Sequence, residues 1–175
     1  MSVVSFPFNI AFIGPVSAGK STFLNAILSD TYSDMRLRRT TMSPQVYGES
    51  AIVNLTPAQI RGQNAAINSQ VMSQRDQGAK IALTETHYDI RPISNFLPIR
   101  QGLHIRLYDI PGLNDQESEI YFEYLRSNIQ KFDLIFLVFD IRSGLNRTDE
   151  LGVLKTVLQQ MGQTAAHLAI VANNR

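Results

Sequence analysis

The stretch GPVSAGKS combines residue types at a spacing that can hold phosphate groups. Gly14 and Gly19 frame a short loop, and Lys20 and Ser21 follow it, which gives the pattern G-x-x-x-x-G-K-S. The glycines let successive backbone N–H groups point inward at phosphate oxygens, and a helix that begins at Lys20 directs its positive dipole end at the same place. Lys20 supplies a charge for the β- and γ-phosphates, and the Ser21 hydroxyl can ligate Mg²⁺. The predicted phosphate-contacting set also includes Ser17, Ala18 and Thr22.

A chance glycine loop between a strand and a helix is the alternative explanation for this pattern. The apolar run NIAFIG (9–14) precedes the loop and a helix-like stretch (20–30) follows it, which is the context that a phosphate-binding loop requires. All four fixed positions are also present. The sequence therefore predicts a site for the phosphates of a nucleotide. Kinases, ATPases and GTPases all use such loops, so a second element must decide among them.

That second element is a D-x-x-G pattern at the end of another apolar run. Asp109 ends the run HIRLYD (104–109), and Gly112 follows three residues later. An aspartate at the carboxyl end of a strand can hold Mg²⁺ through water, and the N–H of the glycine can turn toward a γ-phosphate. Alone, the same residues also fit a strand-ending turn. After a phosphate loop, they predict a segment that binds metal and responds to the γ-phosphate.

A threonine between these two elements could complete the site. A nucleotide switch needs a threonine whose hydroxyl reaches Mg²⁺ and whose N–H reaches the γ-phosphate. Thr40 and Thr41 lie in RRTTMSPQVYG (38–48), just before the second predicted strand. A polar turn that leads into Pro44 is the alternative.

The elements that must position these residues alternate along the chain. Short apolar runs that end at Gly, Asp or Asn are typical of buried parallel strands, and helix-like stretches separate them. This alternation predicts an α/β fold, with a mostly parallel sheet covered by helices on both faces. The predicted strands cover 9–14, 45–55, 104–109, 133–140 and 167–173, and the predicted helices cover 20–30, 118–132 and 149–162.

Residues 56–102 interrupt the alternation. A polar helix is predicted from near Pro57, and residues 81–102, which contain two X-Pro steps, are predicted to be mostly irregular. We interpret this segment as an insertion between the second and third strands of a single domain that spans 1–175.

Composition excludes several classes of site. The chain has 175 residues, no cysteine and a net charge of +1, so it can form neither disulfides nor thiolate metal sites. This charge gives no field that would attract nucleic acid or acidic lipid by itself. The histidines at 87, 104 and 167 lack metal-ligand spacing. No signal peptide or membrane-spanning run is recognisable, and a cytoplasmic location is expected.

The order of phosphate loop, threonine turn, DIPG and a strand ending in VAN resembles that of the GTPase superfamily. GPVSAGKSTFLNAIL, the long insertion and NFLPIRQGLHIRLYDIPGLND are similar in particular to the dynamin-like large GTPases. The resemblance implies a three-layer αβα fold of the P-loop GTPase type, with GTP or GDP and Mg²⁺ as ligands. It also favours Thr41 over Thr40, because Pro44 follows Thr41 at the spacing often found in that family.

The same resemblance implies a role for the end of the sequence. The superfamily selects guanine with N-K-x-D after the fifth core strand; here Asn173 matches the asparagine, Asn174 replaces the lysine, and the aspartate would be the next residue. A frayed polar tail is the alternative for VANNR. We expect a truncated domain that binds phosphates better than it distinguishes guanine from adenine. The family also implies a homodimer across the nucleotide face, and any membrane contact would depend on regions outside this chain.

The sequence offers few groups for hydrolysis. Small GTPases place a glutamine after D-x-x-G, where this chain has Leu113. Dynamins place polar residues early in the phosphate loop, where this chain has Pro15 and Val16. Slow hydrolysis is therefore expected, with three remaining candidate catalytic residues: Lys20, Thr41 and Gly112.

Two further features leave alternatives open. The basic residues Arg36, Arg38 and Arg39 predict a solvated surface turn, and an arginine finger is the functional alternative. A non-catalytic module with GTP or GDP as a structural ligand also fits the sequence. A P-loop ATPase or small-molecule kinase would need lid arginines and an acceptor pocket, and neither is recognisable.

Overall fold

A six-stranded sheet forms the centre of the computed structural model. The structure describes residues 6–33, 42–77, 83–93, 103–113, 118–142, 148–162 and 164–174. In chain order the elements are β1 (Phe6–Ile13), α1 (Lys20–Leu28), β2 (Gln45–Glu49), α2 (Pro57–Asp76), β3 (Thr86–Ile90), β4 (Leu103–Asp109), α3 (Ser118–Asn128), a 3-10 turn (Ile129–Lys131), β5 (Leu134–Asp140), α4 (Thr148–Met161) and β6 (His167–Asn173).

The strands lie in the order β3-β2-β4-β1-β5-β6. Every pair of neighbours is parallel except β2 and β4, which are antiparallel. Strand β1 is central because its last residues are apolar on both faces: Ala11, Phe12 and Ile13 are all fully buried. This placement brings the end of β1 beside the ends of β4 and β5, where ligands bind in open α/β sheets.

Each face of the sheet packs against its own pair of helices. On one face Leu24 of α1 and Ile60 of α2 pack with Phe12. On the other face Leu125 of α3 and Val157 of α4 join a separate apolar cluster. The predicted three-layer αβα fold with a mostly parallel sheet is confirmed.

The structure differs from the sequence predictions at two strands. Residues 86–90 form a strand, although the segment 81–102 was expected to be mostly irregular; Tyr88 and Ile90 alternate with exposed residues and enter the core before Pro92 ends the strand. The predicted strand 45–55 stops at Glu49, because the Ser50 side chain accepts a bond from the Ile52 N–H and turns the chain.

Helix α2 is mostly polar and is fixed to the sheet by a narrow buried line. Ile60 and Asn64 are the residues of this helix that are fully or almost fully buried among those described. The Asn64 side chain donates to the Tyr47 hydroxyl at 3.2 Å and accepts from the Tyr88 hydroxyl at 2.7 Å. These bonds explain how an amide on a polar helix can be buried.

The same helix bonds to two segments outside the sheet. The Arg61 guanidinium donates to the Thr31 carbonyl, and the Asn68 side-chain oxygen accepts from the Met42 N–H at 3.0 Å. Thus α2 contacts the chain just after α1 and again just before β2. Among the described residues, no helix is both long enough and apolar enough to cross a membrane.

Candidate nucleotide site

The loop from Gly14 to Gly19 connects β1 to α1, and its two end positions require glycine. Gly19 has a φ of +97°, in the left-handed region that favours glycine. Gly14 lies so close to β5 that a Cβ there would be 2.0 Å from the Val138 carbonyl oxygen. Ser17 also has a positive φ, of 62°. Positive φ values within a short loop are typical of backbones that gather N–H groups around an anion.

The first turn of α1 is open to an anion. Gly19 is its N-cap and provides no side-chain cap, and the first turn contains no acidic residue. The helix N–H groups and the positive end of the helix dipole are therefore directed at the loop. Ala18 is buried within the loop, whereas Thr22 is exposed on the helix.

Lys20 folds back over this loop. Its Nζ donates to the Pro15 carbonyl at 2.8 Å and to the Gly14 carbonyl at 3.1 Å, and the residue is only 7% exposed. A buried ammonium requires such partners, because desolvation of an unpaired charge is costly. The carbonyl bonds place a positive charge against the loop.

Ser21 and Asp109 meet although 88 residues separate them in sequence. The Ser21 hydroxyl donates to Asp109 Oδ2 at 3.0 Å. Asp109 is fully buried at the end of β4, where it pairs in register with Phe12 of β1. Hydroxyl and carboxylate oxygens are hard ligands of the type that Mg²⁺ prefers, so this donor set fits magnesium. Within the described ranges, no group of three or more His, Cys, Asp or Glu residues is placed to hold a metal ion.

The segment after Asp109 lies directly on the phosphate loop. A Cβ at Gly112 would be 2.5 Å from Val16 Cγ2 and 2.7 Å from the Val16 backbone, so glycine is required by this close approach. The Leu113 N–H donates to the Gly14 carbonyl at 3.4 Å, and the Leu113 side chain is 1% exposed in the apolar core. Leu113 therefore belongs to the apolar core of the domain.

Asn173 reaches the same loop from the edge of the sheet. Its Nδ2 donates to the Ala18 carbonyl at 3.0 Å, and a Cβ on Gly19 would lie 2.0 Å from this nitrogen. Strand β6 pairs with β5 as far as Asn173, whose carbonyl accepts from the Ile141 N–H at 2.9 Å. The chain is therefore a paired strand as far as Asn173, and the alternative of a frayed tail is wrong for the residues up to this position.

Two residues of this neighbourhood were missed by the sequence analysis. The Ser33 hydroxyl donates to Asp109 Oδ2 at 2.9 Å, and Asn25 of α1 holds the backbone of Ser33. No motif marks Ser33, because its approach to Asp109 depends on how the chain turns after α1. The predicted Thr40 and Thr41, and the arginines at 36, 38 and 39, lie outside the described residues.

The electrostatic influence of Asp109 extends to Tyr47 on β2. Burial raises the pKa of Tyr47 well above its usual range, and the negative charge of Asp109 raises this pKa further. The Tyr47 hydroxyl donates to Gln45 Oε1 at 2.7 Å. Tyr47 therefore stays neutral and acts as a hydrogen-bonding group beside the site.

The sequence model of the dynamin family matches residues 10–173. The chain belongs to the dynamin family. The matched region is the GTPase domain of that family, so this dynamin-family chain is a GTP-binding domain of the P-loop type.

Two individual proteins are similar to this dynamin-family domain. Uncharacterized protein R618 of Acanthamoeba polyphaga mimivirus is 28% identical over 152 residues, which cover 81% of this chain and 25% of that protein. The chain thus spans about a quarter of the length of this curated relative. The crystal structure of Era in complex with MgGDPNP and nucleotides 1506-1542 of 16S ribosomal RNA matches with a TM-score of 0.54 and 16% identity, over 97% of this chain and 41% of the Era chain. This likeness shows a shared fold.

Proposed function

We propose that this domain binds GTP with Mg²⁺ and hydrolyses the bond between the β- and γ-phosphates, and that the nucleotide state acts as a conformational switch. The observation that carries the proposal is the 3.0 Å bond between the Ser21 hydroxyl and Asp109. It joins the phosphate loop to the D-x-x-G segment at the place where a P-loop GTPase holds its metal. Membership of the dynamin family supports the same activity.

The phosphates would lie against the loop and the start of α1. The backbone N–H groups from Gly14 to Gly19, with those of Ser21 and Thr22, would form the cradle, and Ser17 and Ala18 belong to it. The Lys20 ammonium, which the structure places against the loop, would bind the β- and γ-phosphate oxygens. Asn173 would support the loop, since its side chain already donates to the Ala18 carbonyl.

Magnesium would be held by Ser21 directly and by Asp109 through water, with Thr41 as the proposed third group. When bound, the ion neutralises negative charge on the phosphates. Gly112 would sense the γ-phosphate through its N–H. Because this glycine lies against Val16, its segment must adjust whenever the contents of the loop change.

Hydrolysis is proposed to be slow in the isolated domain. The residue after D-x-x-G is Leu113, which is buried in the core and cannot orient a water. Lys20, Thr41 and the Gly112 backbone are the remaining candidates for stabilising the developing charge. A second copy of the domain that met the nucleotide face could supply the missing group. In that case the rate of phosphate release per molecule would rise with protein concentration.

The first experiment measures phosphate release from GTP with Mg²⁺ by wild type and by Lys20→Ala. The matched control is Lys155→Ala, which removes an exposed lysine of α4. We expect Lys20→Ala to lose GTP binding and turnover, and Lys155→Ala to match wild type. Competition of ATP against a fluorescent GTP analogue tests the base, and tighter binding of ATP would contradict the guanine assignment.

A non-catalytic nucleotide-binding module is the second candidate function. The burial of Leu113 favours it, because the position that orients water in small GTPases is unavailable here. This function predicts tight GTP binding that depends on Lys20, together with phosphate release no faster than that of Lys20→Ala. The same pair of measurements therefore separates the two functions.

A further inference from the structure

Ser33 contacts the buried carboxylate at the centre of the site. Its hydroxyl donates to Asp109 Oδ2 at 2.9 Å, and the Ser21 hydroxyl donates to the same oxygen at 3.0 Å. A carboxylate oxygen has two lone-pair directions, so two hydroxyls can bond to Oδ2 at once. Ser33 is 2% exposed and Asp109 is fully buried, which leaves little room for solvent to replace either bond.

Asn25 fixes the position of Ser33. Its side-chain oxygen accepts from the Tyr32 and Ser33 N–H groups, each at 2.9 Å, and its Nδ2 donates to the Ser33 carbonyl at 2.8 Å. The amide is itself buried on α1, five residues after Lys20. The turn that delivers Ser33 is therefore built on the same helix whose first turn faces the phosphate loop.

These bonds act on the charged form of Asp109. Burying a carboxylate is costly unless donors replace its water, and hydrogen bonds to a charged group are stronger than those between neutral groups. Two bonds from opposite ends of the 21–33 segment also fix the rotation of the carboxylate about its last torsion angle. Metal-binding carboxylates generally depend on such supporting groups for their orientation.

We propose that Ser33, held by Asn25, is a positioning residue for magnesium: it orients Asp109 so that the carboxylate can bind the hydrated ion. This inference rests on the proposed binding of a nucleotide with Mg²⁺. It adds a residue that does not touch the nucleotide and acts through Asp109. Loss of such a supporting group typically weakens metal binding by about 10- to 100-fold.

The test compares the affinity for GDP in magnesium buffer with the affinity in EDTA, by fluorescence titration. The ratio of the two affinities is the magnesium dependence. We expect Ser33→Ala to lower this ratio by about tenfold and to leave the affinity in EDTA within about twofold of wild type. Asn25→Ala should lower the ratio similarly, and the double variant should lower it no further, because both residues act through one bond. Ser69→Ala is the control, since its exposed hydroxyl donates to the Ala65 carbonyl of the same helix, α2.

The outcomes separate this inference from the proposed function. If wild type binds GDP equally well in magnesium and in EDTA, the proposed magnesium site fails, and the inference fails with it. If wild type depends on magnesium but Ser33→Ala keeps the full ratio, only the inference is overturned. Equal losses of affinity in both buffers would also overturn it, because they would show a structural role without an effect on the metal.

Discussion

Gly112→Ala perturbs the contact between the D-x-x-G segment and the phosphate loop with a single methyl group. The added Cβ would lie 2.5 Å from Val16 Cγ2 and 2.7 Å from both the Cα and the N of Val16. Ordinary Cβ contacts lie at 3.4–4 Å, so one segment must move by roughly 0.5–1 Å. The valine backbone cannot rotate out of the way, which makes this a case of overpacking. We expect a loss of about 1–3 kcal/mol in the free energy of unfolding.

The same displacement should affect the triphosphate more than the diphosphate. Gly112 is proposed to face the γ-phosphate, which GDP lacks. We therefore expect the ratio of GTP to GDP affinity to fall by about tenfold, which corresponds to about 1.4 kcal/mol. Urea denaturation measures the stability and fluorescence titration measures the two affinities. Gly48→Ala is the control, because its Cβ would meet Arg106 Cγ at an ordinary 3.8 Å. Wild-type stability together with a wild-type affinity ratio in Gly112→Ala would refute the steric reasoning.

Three other substitutions have defined outcomes. Gly19→Ala forces a φ of +97° on a residue with a Cβ, and should cost about 1–2 kcal/mol by denaturation and weaken nucleotide binding; binding equal to wild type would contradict the assigned role of the loop. Gly62→Ala places a methyl group in open space on α2, and alanine favours a helix more than glycine does. The midpoint of thermal unfolding should therefore rise by about 2–4 °C, and no rise would contradict the helical conformation at this position. Glu85 is desolvated, which raises its pKa, but bonds from Lys131 and Tyr124 outweigh this and lower the pKa below 4.5. The charged carboxylate therefore stabilises the fold above that pH, and this stabilisation is lost as the pH falls through the lowered pKa. We expect Glu85→Gln to lower the free energy of unfolding by about 1 kcal/mol at neutral pH and by less near pH 3, as measured by urea denaturation. An equal loss at both pH values would contradict the ion pair.

The sequence predicted the elements whose patterns are local and strong. Strand β1, the glycine loop and α1 follow one another directly in the sequence. The apolar run, the glycines and the start of the helix together restrict how this stretch can fold. Asp109 was predictable because it ends an apolar strand and precedes a glycine. Asn173 needed the family resemblance, since nothing local distinguishes VAN from any strand end. Its bond to Ala18 depends on where β6 joins the sheet.

Other features could not be predicted from local patterns. Strand β3 is only five residues long, and its Tyr88 and Ile90 become recognisable as core residues only when β2 lies beside them. Ser33 is one of many serines in the sequence. Its contact with Asp109 depends on the turn that Asn25 holds and on the pairing of β4 with β1, and both depend on tertiary packing. The expected roles of Thr40 and Thr41 stay predictions.

The hydrogen bonds of helix α2 could couple nucleotide binding to a distant surface of the domain. Arg61 is hydrogen-bonded to Thr31 and Asn68 to Met42, so one helix is bonded at two points that flank the stretch containing Thr41. Coupling between two binding sites is reciprocal: if nucleotide binding changed the affinity of α2 for a partner, that partner would change the affinity for the nucleotide by the same factor. A partner that bound the exposed side of α2 would therefore contact a helix that is hydrogen-bonded to both ends of the stretch containing Thr41.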